Sequence, residues 1–338
     1  MQIKIKLVDF YREEYRDRDF EGEVRRALEP LGEVVLSEEP DFLFCSCFGK
    51  QALRYDCTRI LYIAENLRPD FNLYDYAIGN DWLSYEDRFL RLPWYNFPGW
   101  ARERTRLALK KHLVPEEELA AKEKFCSFVV SNYGANPRRE EAFEALNAYK
   151  RVESGGRSRN NQPDGKPVAD KLEFLRQCRF NIAFENARTA GYCTEKIADA
   201  FAAATVPIYW GDPAVERIYN PEAFLNCNDC ENTQQIVEKV RAVEENPQRW
   251  KYMLRQPAFL HPEQVEKELE EDPLAQFIRH IVAQGPQKSR RRSPDFWQKN
   301  NEDKERQLAR LAGSWWFPYY AKGERYLWRH RKKQGGRE

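Results

Sequence analysis

The segment FNIAFENARTAGYCTEKIADAF, residues 180–201, combines an apolar run, a polar loop and a helical pattern. The run predicts a strand that ends near Asn186, and the helix is expected to begin at Thr194, a favourable N-cap residue. Ligands of open α/β sheets bind at the carboxyl ends of strands, so this loop is a candidate binding site. The helix dipole favours Glu195 in the first turn but does not explain its neighbour Lys196. A diphosphate bound to the free backbone N–H groups would explain that lysine, whereas an exposed helix start is the alternative from spacing alone.

Strand and helix patterns alternate on both sides of this segment. The first third of the chain begins with a strand pattern at residues 3–10 and a helical pattern at 21–32, and further short apolar runs follow. A second alternation occupies residues 124 to about 275, after a charged connector near 114–123. Such a rhythm predicts an α/β fold with parallel sheets covered by helices. Two units in tandem predict two nucleotide-binding-like halves that face each other across a cleft.

Length and charge limit the number of domains and the kinds of partner that the chain can have. With 338 residues, the chain is long enough for two domains. Lys and Arg number 55 and Asp and Glu 54, so the whole chain is nearly neutral. Residues 288–338, however, carry fifteen basic and six acidic side chains, interleaved with aromatic residues. This basic tail is typical of a solvated end, of a segment that binds an anionic membrane surface, or of a nucleic-acid-binding arm.

Export and membrane-spanning segments are not recognised in the sequence. The N-terminal run MQIKIKLVDF alternates and lacks the apolar core of a signal peptide, and no window is apolar enough to span a membrane. These features predict a cytoplasmic protein whose eight cysteines are reduced.

Metal and phosphate-loop motifs are not recognised either. The C-x-x-C of Cys227 and Cys230 lacks a second pair of ligands, and the four histidines are dispersed. The D-x-D at Asp17 and Asp19 lies in a charged stretch and is interpreted as surface. Neither G-x-G-x-x-G nor G-x-x-x-x-G-K-[ST] occurs, so the ordinary dinucleotide and P-loop functions lose support. We therefore predict no metal site.

A longer pattern identifies a family. FNIAFENARTAGYCTEKIADAFAAATVPIYWGDP, residues 180–213, carries FEN, GY, TEKI and PIYWG in this order. It resembles the donor-site signature of the α-1,3/4-fucosyltransferases, glycosyltransferase family 10. The resemblance continues upstream through residues 129–161 and, more weakly, through residues 60–81. It covers roughly residues 40–260, so the last fifty residues lie outside it.

The resemblance implies a GT-B fold, in which two Rossmann-like domains face a cleft. Residues 1–118 would form the N-terminal acceptor-binding domain, and residues 119–275 the C-terminal domain that binds GDP-fucose. Residues 276–338 would form a C-terminal helix and the basic aromatic tail.

The resemblance also implies a set of donor-binding residues: Arg139, Asn186, Tyr192, Glu195 and Lys196. Lys196 and Arg139 would contact the diphosphate and Glu195 the ribose, while the other two would line the phosphate and fucose pocket. The planar fork of an arginine suits phosphate oxygens, and Arg138 is the alternate candidate because the preceding turn is one residue longer than expected.

The general base implied by the resemblance is Glu65, at the end of a predicted strand. The family usually has glycine before this glutamate, whereas this sequence has Ala64. Partial burial would raise the pKa of the carboxylate, which would accept the proton of the acceptor hydroxyl. A rim carboxylate that only orders the next loop is the alternative.

The implied reaction is an inverting transfer of L-fucose from GDP-β-L-fucose to N-acetylglucosamine, expected at O3, in an N-acetyllactosamine-type glycan. No cofactor is expected to be required, although added Mn²⁺ could raise activity through weak binding to the diphosphate. The natural acceptor would be a lipopolysaccharide chain or another surface glycan, and an α-1,4 linkage also fits the signature. A different nucleotide sugar is the second enzymatic hypothesis.

Two further features have alternative explanations. The aromatic residues Trp82, Trp94, Tyr95 and Trp100 would suit sugar stacking in an acceptor site, but core packing is the commoner explanation for such residues. The basic tail raises the hypothesis of a nucleic-acid-binding protein, although no base-reading pattern accompanies it. A peripheral position on the inner membrane of a bacterium fits a glycosyltransferase better.

Overall fold

The first of two parallel sheets is built from the N-terminal third of the chain. The computed structural model describes residues 2–11, 20–132, 134–312 and 314. The strands are β1 (Gln2–Val8), β2 (Glu33–Leu36), β3 (Phe42–Cys45), β4 (Thr58–Tyr62), β5 (Tyr76–Gly79) and β6 (Phe89–Arg91). Their order is β2-β1-β3-β4-β5-β6, with parallel pairing throughout. Strand β4 ends three residues before Glu65, which therefore lies in the following loop instead of ending the strand.

The second sheet repeats this order. Its strands are β7 (Lys124–Phe128), β8 (Val152–Ser154), β9 (Cys178–Phe184), β10 (Val206–Trp210) and β11 (Leu225–Asn226), arranged β11-β10-β9-β7-β8. In both sheets the first strand lies between the second and the third, so the crossover direction reverses beside it. The carboxyl ends of strands at such a switch point form a natural ligand crevice. Two sheets of this kind confirm the predicted α/β class and GT-B architecture.

Twelve helices are described within these ranges. They are α1 (Glu21–Leu28), α2 (Trp100–Leu109), α3 (Glu116–Ala120), α4 (Arg138–Tyr149), α5 (Lys171–Arg176), α6 (Glu195–Ala202), α7 (Thr233–Glu244), α8 (Pro247–Arg255), α9 (Pro262–Glu271), α10 (Pro273–Ala283), α11 (Gly285–Lys288) and α12 (Phe296–Ala312). Local sequence sets several helix starts. Asn246, for example, accepts a hydrogen bond from the backbone N–H of Arg249, and Pro247 occupies the first helical position.

The central strands β9 and β10 show why apolar runs predicted the sheets. All five residues of β10 are buried, and six of the seven residues of β9 are buried. Parallel strands covered on both faces cannot alternate between apolar and polar residues, because neither face meets water. Continuous apolar runs bounded by polar loops are the resulting pattern.

The chain returns to the first domain after completing the second. Helix α10 packs against α1, and its residues Leu274, Ile278 and Ile281 share one core with Ile3 and Ile5 of β1. The opposite face of this sheet carries a short 3-10 helix, Gln51–Arg54, which α12 contacts. Elements from the end of the sequence therefore complete both faces of the N-terminal domain.

The beginning of the basic tail is folded and is not a solvated end. Arg290 pairs with Asp56, and Arg292 Nε lies 3.1 Å from Asp75 Oδ1, so this part of the tail is bound to the first domain. Residues 315–338 of the predicted tail, and the D-x-D of residues 17–19, lie outside the described residues. Within the described ranges, every helix is too short or too polar to cross a membrane.

Candidate active site

A buried carboxylate organises the loop between β9 and α6. Glu185 directly follows β9 and is fully buried. It accepts hydrogen bonds from the backbone N–H and the hydroxyl of Thr194, both at 2.7 Å, and from Lys196 Nζ at 2.8 Å. Thr194 has the extended backbone of an N-cap, but its hydroxyl bonds Glu185 and makes no capping bond, which corrects the predicted cap. Glu185 thus folds the loop back onto the strand end and fixes where the helix begins.

Lys196 lies between two carboxylates. Its Nζ is 2.8 Å from Glu185 Oε2, 2.8 Å from Thr194 Oγ1 and 3.3 Å from Glu195 Oε1. Its side chain is only 11% exposed, so the exposed helix start considered from spacing is wrong. Burial alone would lower the pKa of Lys196, but Glu185 and Glu195 raise it well above its usual range. The site therefore contains a permanent, pre-positioned cation.

The two carboxylates beside this lysine differ in environment. Burial raises the pKa of Glu185, although Lys196 opposes the shift. Burial also acts to raise the pKa of Glu195, but Lys196 and then Lys171 lower it to about 2. Glu195, whose side chain is 30% exposed, is therefore ionised at neutral pH and can accept hydrogen bonds from a ligand.

The structure brings Arg139 to Asn186 at the switch point of the second sheet. Arg139 Nη1 donates to Asn186 Oδ1 at 2.8 Å, and Nη2 donates to the carbonyl of Asn132. The residue is 1% exposed, and burial lowers the pKa of its guanidinium while Glu140 and Glu185 oppose this shift. Among the described residues no carboxylate bonds to Arg139, so this cation is suited to a second anionic group.

Arg138, the alternate candidate for the diphosphate contact, directs its side chain to a different part of the domain. Its guanidinium donates to the carbonyls of Cys230 and Glu231, on the loop after β11. A pocket of about 490 Å³ opens here, and Arg138, Arg188 and Trp210 are among its lining residues. The two adjacent arginines therefore occupy two neighbouring parts of the same crevice.

Tyr192 is buried within the same group of charges. Burial raises its pKa, and the charges of Lys196, Glu185 and Glu65 all act on its phenol. The preceding Gly191 has φ +85°, and a Cβ there would lie 2.7 Å from the carbonyl oxygen of Asn80. Glycine at this position therefore allows the donor loop to touch the backbone of the first domain.

Glu65 approaches this group from the first domain. Its side chain reaches solvent, and partial burial raises its pKa, while Lys196 lowers it and Glu195 raises it. The next residue, Asn66, donates through Nδ2 to Thr189 Oγ1 at 2.9 Å, which joins the loops of the two domains. Ala64, where the family usually has glycine, packs against the core of the first domain. The predicted base and the predicted diphosphate lysine thus interact across the cleft.

Glu185 is the principal site residue that the sequence analysis missed. It belongs to the FEN motif, yet only Asn186 of that motif was assigned a role. A Cβ on Gly211, the glycine of PIYWG, would lie 2.4 Å from Cγ of Glu185. The two motifs are therefore one structural unit, because the glycine of the second leaves room for the carboxylate of the first.

The aromatic candidates for an acceptor site separate into two groups. Trp94 and Tyr95 are buried in the domain cores, where the packing explanation holds. Trp100 is 45% exposed, and Trp82 lies between Arg91 and Arg217, with the guanidinium carbons 3.5 and 3.9 Å from its ring centroid.

Groups of three or more His, Cys, Asp or Glu side chains that could hold a metal ion are not found in the described part of the chain. The C-x-x-C cysteines, Cys227 and Cys230, are buried free thiols.

Comparison with known proteins covers both domains. Residues 5–98 match the model of the alpha-(1,3)-fucosyltransferase FucT N-terminal domain, and residues 119–285 match that of the glycosyltransferase family 10 (fucosyltransferase) C-terminal region. The chain is 36% identical over 242 residues to alpha-(1,3)-fucosyltransferase FucT of Helicobacter pylori, covering 62% of this chain and 50% of that protein. It is 29% identical over 151 residues to human 4-galactosyl-N-acetylglucosaminide 3-alpha-L-fucosyltransferase FUT6, covering 44% of this chain and 41% of that protein. It thus spans half or less of the length of these two relatives.

A solved structure resembles the whole fold. The crystal structure of an alpha1,3-fucosyltransferase with GDP-fucose superimposes with a TM-score of 0.64 at 28% identity, covering 81% of this chain and 90% of that chain. Family models match both halves of the sequence, and the GT-B structure agrees with them. The chain therefore belongs to glycosyltransferase family 10, the fucosyltransferase family.

Proposed function

We propose that the protein transfers L-fucose from GDP-β-L-fucose to a hydroxyl of a glycan, with inversion at the anomeric carbon. The observation that carries the proposal is the approach of Glu65 of one domain to Lys196 of the other, where the charge of Lys196 lowers the pKa of Glu65 against the effect of burial. Inverting transfer needs a base beside the acceptor and a cation beside the leaving group, on opposite sides of the sugar. Family membership and the relative crystallised with GDP-fucose support this donor over another nucleotide sugar.

The donor is proposed to lie at the carboxyl ends of β7 and β9. Lys196, the free N–H groups at the start of α6 and Arg139 would neutralise its diphosphate. Glu195, ionised and partly exposed, would accept hydrogen bonds from the ribose hydroxyls. Asn186 and Tyr192 would line the phosphate and fucose pocket, and the adjoining space near Trp210 gives the nucleotide room.

The chemical step follows from these positions. The acceptor oxygen would attack the anomeric carbon of fucose while the bond between that carbon and the diphosphate oxygen breaks. Attack from the opposite face converts β-linked fucose into α-linked fucose. The hydroxyl proton would pass to Glu65, and the negative charge that develops on GDP would be stabilised by Lys196 and Arg139. These cations occupy fixed positions before the donor binds, so little reorganisation is needed during the reaction. The proposal requires no cofactor, although Mn²⁺ could add to the neutralisation of GDP.

The acceptor is proposed to be an N-acetyllactosamine-type glycan, fucosylated at O3 of N-acetylglucosamine, within a surface glycan under construction. The name of the human relative specifies this sugar and this position for that protein. Incubation with GDP-fucose and both lactosamine isomers, followed by linkage analysis, tests the proposal. We expect α-1,3-fucose on the Gal-β-1,4-GlcNAc isomer. Transfer from a different nucleotide sugar, with none from GDP-fucose, would contradict it.

We also propose that the protein works at the cytoplasmic face of an anionic membrane. Phe296, Trp297, Leu308 and Leu311 are 49–76% exposed and lie on one side of α12, opposite the face that contacts the first domain. A helix with such an apolar face inside a basic segment suits a lipid interface. Flotation with anionic vesicles should weaken in the Trp297→Glu/Leu308→Glu variant, and equal flotation would refute this location. The family relationship favours this role over the nucleic-acid hypothesis.

A further inference from the structure

A cavity of about 1000 Å³ lies between the first domain and the returning C-terminal segment. One wall is formed by residues 50–56 around the short 3-10 helix, and the other by residues 290–310, which include most of α12. None of the residues proposed to bind donor or acceptor lines it. The cavity is therefore separate from the site around Lys196.

The lining of this cavity is strongly cationic. It contains seven basic and three acidic side chains: Lys50, Arg54, Arg290, Arg292, Lys299, Arg306 and Arg310 against Asp56, Glu302 and Asp303. The field of such a concave surface concentrates anions.

The ion pairs within the walls do not use all of this positive charge. Glu302 Oε1 accepts from Arg59 at 2.6 Å and from Arg306 at 2.7 Å. Arg292 Nη1 lies 3.7 Å from Glu302 Oε2, which is beyond hydrogen-bond distance, while its Nε bonds Asp75. Arg306 Nη1 also lies 3.6 Å from Asp303 Oδ1, so the three arginines share the carboxylates of Glu302, Asp75 and Asp303.

Arg292 supplies a second indication of a ligand. Its side chain is 6% exposed, and its buried Nη1 has no hydrogen-bond partner among the described residues. Leaving such a group unsatisfied is costly, so a ligand oxygen is the expected partner. Arg54, Lys299 and Arg310 also line the cavity, and in the described ranges they form no ion pair.

We propose that this cavity binds a phosphate-bearing anion that joins the first domain to α12. Arginine forks bind phosphate oxygens in pairs, and the oxygens would complete the bonding of Arg292. The volume is at the upper end of ordinary ligand pockets, about 300–1,000 Å³, so the cavity has room for an anion larger than a single phosphate ion. The phosphate groups can come from a soluble phosphorylated compound or from the head group of an anionic lipid.

Titration calorimetry of the full chain with inorganic tripolyphosphate tests the soluble source. Saturating GDP is present throughout, so that the proposed donor site is occupied. We expect saturable binding that Arg310→Gln weakens about tenfold, the loss of one charge-assisted contact. The matched control is Lys304→Gln, which removes the same charge from the same helix outside the cavity lining and should change the affinity less than about twofold.

Vesicles test the lipid source. Equal mixtures of phosphatidylglycerol and phosphatidylcholine are compared with phosphatidylcholine alone, using the Arg54→Gln/Lys299→Gln/Arg310→Gln variant and Lys304→Gln. All three side chains are open to solvent, so the triple variant is expected to fold. If the triple variant loses binding to the anionic vesicles and Lys304→Gln keeps it, the cavity binds a lipid head group. The proposal is overturned if the protein binds neither tripolyphosphate nor anionic vesicles. It is also overturned if the cavity variants and Lys304→Gln lose binding affinity equally.

Discussion

Replacing Glu65 by glutamine should reduce the rate of fucosyl transfer by about 10²- to 10⁴-fold, the usual contribution of a positioned general base. The amide keeps the size of the side chain but cannot take the acceptor's proton. Arg139 and Lys196 belong to the other domain and keep their bonds to Asn186 and Glu185, so the affinity for GDP should stay within about twofold of the original.

The pH profile distinguishes a base from a merely structural carboxylate. Burial raises the pKa of Glu65, and the group can accept a proton only when it is ionised. The value of kcat/KM should therefore fall as pH decreases through this raised pKa and level off above it. The Glu65→Gln variant should lose this acidic limb together with its activity.

A matched control is Glu39→Gln, an exposed carboxylate in the loop before β3 of the same domain. This variant should retain both rate and pH profile. If Glu65→Gln retained normal transfer, or if GDP affinity fell as far as the rate, the assignment of Glu65 as the base would be wrong.

The contacts between the domains give this prediction its physical basis. Asn66 bonds Thr189, and Gly191 lies against the backbone of Asn80, so the loop bearing Glu65 and the loop bearing Tyr192 have a defined separation. Catalysis by a positioned group depends on such fixed geometry, because small displacements cost large factors in rate. The two domains therefore form the proposed catalytic site together.

The sheets could be predicted because their signal is local. The residues of β10 are all buried, and the sequence records this directly as an apolar run. Lys196 was also predictable, because a lysine beside a helix N-terminus contradicts the dipole and requires an explanation. The position of the lysine at the helix start suggested a diphosphate, the family resemblance implied the same contact, and the contact remains a proposal.

Glu185 could not be found in this way, since its partners lie nine and eleven residues further along a folded loop. Adjacent arginines present a related difficulty. Arg138 and Arg139 are about 100° apart around α4, so only the turn geometry before the helix decides which of them faces Asn186. Spacing in the sequence contains too little information for that choice.

The docking of the basic tail was unpredictable for a different reason. The ion pair between Arg59 and Glu302 joins residues 243 positions apart, and the bonds from Arg292 to Asp75 join residues 217 apart. Composition described the tail as a charged segment, but its partners lie in the first domain, Arg59 in β4 and Asp75 in the loop before β5, and neither has a pattern that marks it as a partner of the tail. Long-range ion pairs of this kind appear only in the folded structure.

Replacing Lys196 by methionine should slow transfer strongly for a reason that can be separated from stability. The proposed leaving group would lose a cation held in place before the reaction, which typically costs about 10²- to 10³-fold in rate. The same change leaves Glu185 buried without its lysine, and breaking a buried pair costs on the order of 3 kcal/mol of unfolding free energy. Loss of activity in the single variant alone would therefore be ambiguous.

The double variant Lys196→Met/Glu185→Gln resolves the ambiguity. Glutamine removes the uncompensated charge and can still accept the hydrogen bond from the backbone N–H of Thr194. Most of the lost stability should return, measured by chemical unfolding, while transfer and GDP binding should stay as low as in the single variant. Lys150→Met is the matched control, because Lys150 is half exposed and its partner Glu244, in the same domain, keeps an ion pair with Arg179. It should cost less than about 1 kcal/mol and leave the rate unchanged.

The pH dependence of stability provides an independent test of the Lys196→Met variant. Without Lys196, the pKa of Glu185 loses its main lowering influence and rises further above the unfolded value. A carboxyl with a raised folded pKa binds protons more tightly in the folded state, so the free energy of unfolding should fall as pH rises through that pKa. The double variant lacks this carboxyl and should lose the dependence. If the double variant regained transfer together with stability, Lys196 would serve only to neutralise Glu185, and the proposed diphosphate contact would be refuted.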